Sequence, residues 1–295
     1  MPGFVLPSIT MDIESFVIGH EAAIRIGFFV GTLAAMAVWE VLAPRRISTV
    51  GKTLRWPGNL GLVVLNSILV RTLLPLGATG LAAFAAGNGW GVLNHVEAPP
   101  WLAAPIAVVA LDFSIWLQHV VMHAVPALWR LHRVHHADLD YDLTTGVRFH
   151  PIEIVLSILV KFAAIVVLGP PVVAVIVFEV LLNASSMFNH GNVRLSGALD
   201  RVLRHVVVTP DMHRVHHSVD DDETNSNFGF NLSWWDRLFG TYRDQPRAGH
   251  EAMTIGIRGH RDPREVARLP GLLLLPFHGA EHGYSINRRE WGPTR

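Results

Sequence analysis

Histidine is concentrated in patterned groups in the middle of the chain. Of the 17 histidines among 295 residues, eleven lie between residues 119 and 217. The pattern is H-x-x-x-H at 119–123, then H-x-x-H-H at 132–136 and again at 213–217. In a helix, positions i, i+3 and i+4 share one face, so the imidazoles of each group can converge on one ion. Chance would give about 0.06 copies of H-x-x-H-H at this histidine frequency, so two copies are a specific signal.

The residue types around these groups restrict the chemistry to metal binding by imidazole. Imidazole nitrogen suits iron, zinc, copper and nickel. Eight or nine imidazoles exceed the ligand number of one ion, which predicts two metal ions. The chain has no cysteine, which excludes a disulfide framework, a cysteine-ligated zinc site, an iron–sulfur cluster and a thiol nucleophile. The carboxylate di-iron pattern, the zincin motif, the P-loop and G-x-S-x-G are also absent, so we expect no other cofactor-binding motif.

The composition indicates that these groups belong to an integral membrane protein. Half of the residues are hydrophobic and 16% are charged, against roughly 25% charged residues in soluble domains. The formal net charge is zero, so nucleic acid is not an expected partner. Residues 1–19 contain no lysine or arginine, which argues against a signal peptide. Apolar stretches long enough to span a membrane, or to form a tight hairpin, lie at 22–42, 60–86, 101–121, 152–168 and 172–187.

The predicted fold is therefore an all-α membrane bundle of four to five helices with a histidine-rich helical cap. Gly169-Pro170-Pro171 is a turn signal that makes the last two stretches a hairpin. Arginine and lysine cluster at 43–59, 122–151 and after residue 187, and are absent from 86–100. The positive-inside rule then puts the N-terminus outside and the cap in the cytoplasm. Because a hairpin returns the chain to its starting side, all histidine groups should meet at one membrane face.

The three histidine groups, with Asn227-Phe228-Gly229 and the closing segment 234–241, resemble the fatty acid hydroxylase/sterol desaturase superfamily of membrane di-iron oxygenases. The resemblance covers about residues 105–245, which divides the chain into N-terminal membrane helices (1–104), a catalytic region (105–245) and a cytoplasmic tail (246–295) of one integrated unit. It implies that two iron ions are bound by the three groups and by the histidine of Asn189-His190-Gly191. The implied ligands are His119, His123, His132, His135, His136, His190, His213, His216 and His217.

Two further residues are candidates for a place beside the metal. His150, in Arg148-Phe149-His150-Pro151-Ile152-Glu153, resembles a family segment, and we expect it to support a ligand or line a substrate channel rather than bind metal. Asp112 lies seven residues before His119 on the same helix face, where it could accept an N–H from a ligand imidazole. An ion pair of Asp112 with Arg71 or Lys161 is the alternative. No catalytic residue beyond the metal ligands is predicted.

The leading functional hypothesis is an oxidoreductase that uses O2 to hydroxylate or desaturate a lipid C–H bond. Its partners would be a membrane lipid that is sterol-, fatty-acyl- or alkylglycerol-like, O2, and a separate electron donor of the ferredoxin or cytochrome type with its reductase. Two alternatives from other classes are a non-enzymatic metal transporter or store and a bis-histidine haem protein. The sequence leaves open the lipid, the choice between hydroxylation, desaturation and ether cleavage, and the oligomeric state.

Overall fold

The structure, a computed structural model, describes residues 9–96 and 98–279, and its regular elements are helices. Within these residues the only β pairing is in isolated bridges, which confirms the prediction of an all-α fold. The α-helices are α1 Ile9–Gly19, α2 Glu21–Leu42, α3 Lys52–Leu73, α4 Gly77–Gly87, α5 Pro100–Ala124, α6 Pro126–His136, α7 Pro151–Leu168, α8 Val172–Asn189, α9 Gly197–Leu203, α10 Pro210–His216, α11 Asp221–Thr224, α12 Trp234–Leu238, α13 Gly249–Ala252, α14 Pro263–Ala267 and α15 Leu269–Leu274. Short 3-10 helices are Val92–Asn94, Thr145–Val147 and Leu275–Phe277.

Five helical segments of the described chain are long and apolar enough to cross a membrane, as the hydropathy predicts, which is consistent with a multi-pass membrane protein. The second segment differs from its predicted form. It begins at Lys52 rather than residue 60, and a turn at 74–76 divides it into α3 and α4. Proline disfavours the helical conformation of the residue before it, and Leu74, which precedes Pro75, has left that conformation (φ −130°, ψ 61°). The five segments are Glu21–Leu42, Lys52–Gly87, Pro100–Ala124, Pro151–Leu168 and Val172–Asn189.

Helix α8 is the centre of the bundle and packs against α2, α4 and α5, while α7 packs against α4 and α5. The core between them is made of branched and aromatic side chains, among them Leu111 and Ile115 of α5, Ile165 of α7, and Val175 and Phe178 of α8. Between membrane helices such packing is stabilised by van der Waals contact, since lipid tails are as apolar as these side chains. The bundle thereby sets the positions of the ends of α5 and α8.

The predicted hairpin of α7 and α8 is present, and glycine permits its turn. Gly169 caps α7 in the left-handed conformation, at φ 62° and ψ 51°. A Cβ at this position would lie 2.4 Å from the backbone oxygen of Trp90 and 2.4 Å from the side chain of Asn94. Only glycine fits both the conformation and the space. The hairpin returns the chain to the end of the bundle at which α7 began.

The remaining elements cover this end of the bundle and form a cap, which we define as residues 125–150 and 190–279. Helix α6 packs against α5 and α7, α10 packs against α8, and the 3-10 helix at 145–147 packs against α3 and α8. The 246–279 segment is part of this cap, because Leu272 and Leu275 pack into one buried cluster with Leu62 and Trp129. Residues 280–295 of the predicted tail lie outside the described residues.

A buried ion network fastens the cap to α3. Arg55 donates two hydrogen bonds to the Asp138 carboxylate, at 2.6 and 2.7 Å, and one to Asp142 at 2.6 Å. Arg148 lies 3.5 Å from the same Asp138 carboxylate and donates to the backbone oxygen of Val134. Burial alone would raise the pKa of the Asp138 carboxyl, but Arg55 and Arg148 hold it well below its usual range. The charged network therefore fixes the C-terminal end of α6, the helix with the second histidine group, and the chain that follows it.

We expect the Arg55→Leu substitution to lower the free energy of unfolding by about 3–5 kcal/mol, because it leaves buried carboxylates without their cation. Thermal or denaturant unfolding of the detergent-solubilised protein measures the loss. The matched control is Arg194→Leu, which removes an exposed arginine 3.2 Å from the exposed Glu251 and should change stability by less than about 1 kcal/mol. Equal stability of the two variants would contradict a structural role of the Arg55 network.

Candidate metal centre

The structure brings together nine buried histidines at the cap end of α5 and α8. They come from four chain regions: the end of α5, helix α6, the residue after α8, and α10 with the residue that follows it. Their ring nitrogens form two groups, within each of which the ligand atoms lie within 4.8 Å of one another. These are the nine residues that the sequence predicts as ligands. The first group is His119, His123, His132, His136 and His216, and the second is His135, His190, His213 and His217.

Backbone carbonyl oxygens fix the tautomer of several of these rings. The Nδ1 of His119 lies 2.7 Å from the oxygen of Phe228, that of His216 lies 2.7 Å from the oxygen of Ser226, and that of His190 lies 2.7 Å from the oxygen of Ser186. A carbonyl oxygen can only accept, so each Nδ1 carries the proton. The Nε2 of each neutral ring is therefore left with a lone pair, which is the form that binds a metal.

These Nε2 lone pairs point at one another. His119 Nε2 lies 3.0 Å from the Nε2 of both His132 and His216. In the second group, His190 Nε2 lies 3.1 Å from the Nε2 of both His135 and His217. Neither His119 nor His216 has a proton on Nε2 to donate, so their approach is a contact between two acceptors. Such an arrangement is unfavourable in a buried site unless a cation lies between the nitrogens.

The spacing of these nitrogens fits a metal ion. Imidazole nitrogen binds a divalent transition metal such as zinc at about 2.1 Å, so two ligands at right angles lie about 3.0 Å apart. The observed separations are 3.0 to 3.1 Å. In addition, His213 Nε2 is buried with no hydrogen-bond partner. The chemistry of the donors and their geometry thus agree with metal binding.

Burial keeps several imidazoles of the two ligand groups neutral. It holds the pKa values of His135, His136 and His217 well below their usual range, and the neighbouring imidazoles lower them further. Burial likewise lowers the pKa of His190 to about 3. A neutral imidazole is required for ligation, so these rings need no deprotonation to bind a metal near neutral pH.

The loop after α10 positions four of the nine rings. Besides the carbonyls of Ser226 and Phe228, the Asn225 side chain accepts from His123 at 3.2 Å and the backbone oxygen of Asn227 accepts from His213 at 3.3 Å. Asn227 has a positive φ of 52°, which asparagine tolerates better than most residues. Its side chain donates to the backbone oxygen of Met212 at 2.8 Å and so closes the turn. The loop thus places its oxygens toward the histidines.

Asp236 and Asp112 hold this loop against α5. Asp236 accepts from the backbone N–H groups of Phe228 and Gly229, each at 2.8 Å, and from the Trp116 indole at 3.1 Å. The Asp112 carboxylate accepts from the Asn231 side chain at 2.9 Å and from the Trp235 indole at 2.8 Å. We expected Asp112 to accept from a ligand imidazole or, as the alternative, to pair with Arg71 or Lys161. The structure shows none of these contacts for Asp112. Its role in the described structure is to hold the loop that holds the histidines.

The carboxylate that contacts a ring of the first group is Glu153, which the sequence reasoning missed. Its Oε1 accepts from His132 Nδ1 at 2.6 Å, and both side chains are buried. His150, the candidate in the same segment, instead caps α7 by accepting from the Ile152 N–H at 3.2 Å, and its other nitrogen contacts the backbone oxygen of Leu273 at 3.3 Å. One helical turn separates the two residues. The sequence signal for this role was the acidic Glu153 itself, which lies in the first turn of a largely apolar helix.

The regions of similarity to known proteins coincide with the histidine site. Residues 104–241, a little under half of the chain, match the family model of the fatty acid hydroxylases, and this range contains all nine histidines. An ornithine lipid hydroxylase, OlsE, of Rhizobium tropici is 29% identical over 248 residues, which cover 78% of this chain and 70% of the relative. No solved structure matches the chain.

Alkylglycerol monooxygenases are a second group of relatives. The Xenopus tropicalis protein is 29% identical over 191 residues, which cover 62% of this chain and 41% of the relative. The human protein is 28% identical over 151 residues, which cover 51% of this chain and 32% of the relative. The chain thus spans less than half the length of these monooxygenases. Together with the family match, these relatives support the predicted resemblance to the fatty acid hydroxylase superfamily and confirm the prediction of an oxidoreductase.

We expect Glu153→Gln to weaken metal binding by about 10- to 100-fold, because the amide is a poorer acceptor for His132 and can present its NH2 group to the ring. Metal content after dialysis against graded chelator concentrations measures the affinity. Glu251→Gln, an exposed carboxylate elsewhere on the cap, is the matched control and should leave the affinity unchanged. Identical metal retention in both variants would show that Glu153 does not support the site.

Proposed function

We propose that this chain is a membrane monooxygenase that uses two iron ions, held by the nine histidines, to hydroxylate a C–H bond of a membrane lipid. The observation that carries the proposal is the contact between Nε2 lone pairs at 3.0 to 3.1 Å, which a bound cation would convert into ligation. The relatives named lipid hydroxylase and alkylglycerol monooxygenase support the lipid substrate and the use of O2.

The division of the ligands into five and four supports two ions rather than one. Nine donors exceed the coordination number of one ion, and each group by itself matches the four to six ligands that an ion accepts. The groups are adjacent, since the rings of His136 and His217 stack at 4.5 Å and those of His213 and His216 at 5.0 Å. Two ions held in this way would be neighbours, which suits a reaction that delivers two electrons to one O2 molecule.

Iron fits the imidazole donors and, when bound, would activate O2 for attack on an unactivated C–H bond. The overall reaction would convert the C–H bond, O2, two electrons and two protons into an alcohol and water. The chain has no cysteine for a cluster and no flavin motif, so we propose that a separate ferredoxin- or cytochrome-type donor with its reductase supplies the electrons. Hydroxylation is favoured over desaturation because the relatives are named for hydroxylation and monooxygenation.

The protein's own groups contribute orientation and a dry environment. Hydrogen bonds at Nδ1 hold six rings with Nε2 directed inward, through carbonyl oxygens, Asn225 and Glu153. Aromatic rings cover the cluster: Phe149 stacks on His135 at 4.6 Å, and Phe230 lies 5.2 Å from His119. Such walls exclude water, which protects a reactive oxidising centre from side reactions. A lipid would reach this centre from the bilayer, since the site lies at the ends of the spanning helices.

We also propose that the cap faces the cytoplasm and that the N-terminus lies outside, as the charge distribution indicates. Several of the arginines behind this proposal are buried, Arg55 on α3 and Arg133 and Arg148 in the cap, and so contribute little to an interaction with the membrane surface. The exposed arginines at 194, 201 and 237 are on the cap as well and give the same orientation.

Of the alternatives, a metal transporter would need ligands along a path through the membrane. The nine histidines instead lie at one end of the bundle. A bis-histidine haem protein would need two isolated histidines on opposite sides of a large flat pocket, whereas here the imidazole nitrogens contact one another. Metal analysis separates the three functions.

We expect the purified protein to contain about two irons per chain with no haem absorbance, in line with the two ligand groups. His135→Ala and His216→Ala, one from each group, should lower bound iron and abolish activity. His278→Ala, at an exposed cap histidine outside both groups, is the matched control and should leave iron and activity intact. One zinc per chain, a Soret band, or full activity of His216→Ala at normal iron content would reject the proposal.

Lipid analysis of cells with and without the gene, grown in air, tests the reaction. We expect a polar lipid that is heavier by one oxygen atom only when the protein is present, and 18O2 should label that oxygen. The strain with His216→Ala is the control and should resemble the strain without the gene. A product lighter by two hydrogens would change the assignment to desaturation, and an unchanged lipid profile would contradict an oxygenase.

A further inference from the structure

Large apolar side chains are exposed on two short cap helices, α9 and α12, and on the residues next to them. Leu238 is 70% exposed and Val202 is 67% exposed, unusual values for such residues on the water-facing part of a protein. On α9 and the turn after it the apolar residues follow the spacing i, i+3 and i+7, which places them on one face. We call this set the α9–α12 surface. It consists of Leu199, Val202, Val206, Trp234, Leu238 and Phe239.

Hydrogen bonds join the two helices side by side. The Trp234 indole donates to the backbone oxygen of His205 at 3.0 Å, and the Ser233 N–H donates to that of Val206 at 3.1 Å. Arg237 donates to the backbone oxygen of Arg204 at 3.0 Å. These contacts connect the two apolar regions into one patch on the cap.

The patch is continuous with the membrane-spanning surface of α5. The Phe239 ring lies 4.6 Å from the ring of Trp116 and 6.0 Å from that of Phe113. Phe113 is eleven residues before the cap end of α5 at Ala124, which is about 16 Å along the helix axis. Phe239 therefore lies beside the spanning helix and not beyond its end. The medium that surrounds Phe113 on this side of α5 therefore also surrounds Phe239.

The exposed side chains near the patch include two arginines. Arg201 and Arg237 are exposed, and Arg237 also lies over the Tyr242 ring at 3.9 Å. The neighbouring carboxylates of Asp200 and Asp236 are buried and are bound to groups of the cap itself. The exposed Asp244 is paired with Arg204. An apolar surface with a basic edge complements the acyl chains and anionic headgroups of a bilayer.

We propose that the α9–α12 surface is a membrane-docking surface, which lies in the interfacial layer of the bilayer beside α5. The apolar side chains insert among acyl chains, and Arg201 and Arg237 lie at the level of anionic lipid phosphates. Insertion of roughly 5–10 Å is typical of interfacial helices. The contact of Phe239 with Phe113 places this surface beside α5. The loop that holds the histidines lies between α10 and α12, so this docking would set its depth relative to the lipid. The inference depends on the fold and not on the proposed reaction.

Single cysteines test the docking, since the chain has none of its own. Leu238→Cys would be spin-labelled on the full chain in nanodiscs of phosphatidylcholine and phosphatidylglycerol. The readout is the ratio of accessibility to O2, which enters lipid, over accessibility to a water-soluble nickel chelate. Two labelled controls set the scale. Phe28→Cys is lipid-exposed on α2, and Arg258→Cys is on the cap beside the acidic Asp220.

We expect the ratio at Leu238→Cys to be at least about five-fold higher than at Arg258→Cys and to approach that of Phe28→Cys. A ratio equal to that of Arg258→Cys would overturn the proposal. A label that is shielded from both reagents would also overturn it, since a protein would then cover the surface.

The headgroup contact has a separate test in the same labelled protein. Changing the nanodiscs from pure phosphatidylcholine to a mixture with phosphatidylglycerol should raise the ratio at Leu238→Cys, and adding Arg201→Glu should remove that rise. Arg247→Glu, at an exposed arginine paired with Asp222, is the matched control and should keep the rise. A ratio that does not depend on anionic lipid would overturn the role of the arginines.

Discussion

The opposition of imidazole lone pairs is the interaction on which the rest of the structure depends. Carbonyl oxygens hold the Nδ1 protons of His119 and His216, so their Nε2 atoms meet at 3.0 Å as two acceptors. Without a cation this contact is repulsive, and the surrounding protein must be rigid enough to maintain it. The same rigidity is what a metal centre needs, because ligands that are already positioned lose little entropy when the ion binds.

That rigidity comes from buried polar groups that connect the cap to the bundle. The ion pairs of Arg55 fix the chain that follows α6, and Asp112 and Asp236 fix the loop after α10 against α5. Each of these carboxylates has several hydrogen-bond donors, as a buried charge requires. The membrane helices thus serve as the frame that positions the three histidine groups, and the rings lie at the cap end of the spans.

Membrane depth is the second constraint. The ligands lie at the cap end of the spanning bundle, and the apolar surface of α9 and α12 is continuous with α5 at Phe113. A cap that lies partly in the interface would hold the centre at a constant depth relative to its substrate. Such docking would link the position of the cap, and with it the site of the proposed lipid chemistry, to the position of the spans.

The sequence by itself determined the features that depend on local periodicity. Apolar runs of about 20 residues predict the spans, and the i, i+3 and i+4 spacing predicts that eight of the nine histidines converge. The ninth, His190, followed from the family resemblance and not from spacing. Which residues these histidines contact could be seen only in the three-dimensional structure. The groups of five and four mix residues from separate histidine motifs, Glu153 rather than His150 supports His132, and Asp112 binds the loop at 231–235 instead of an imidazole. These contacts join residues up to 123 positions apart, and their geometry depends on how helices pack, which local spacing does not encode.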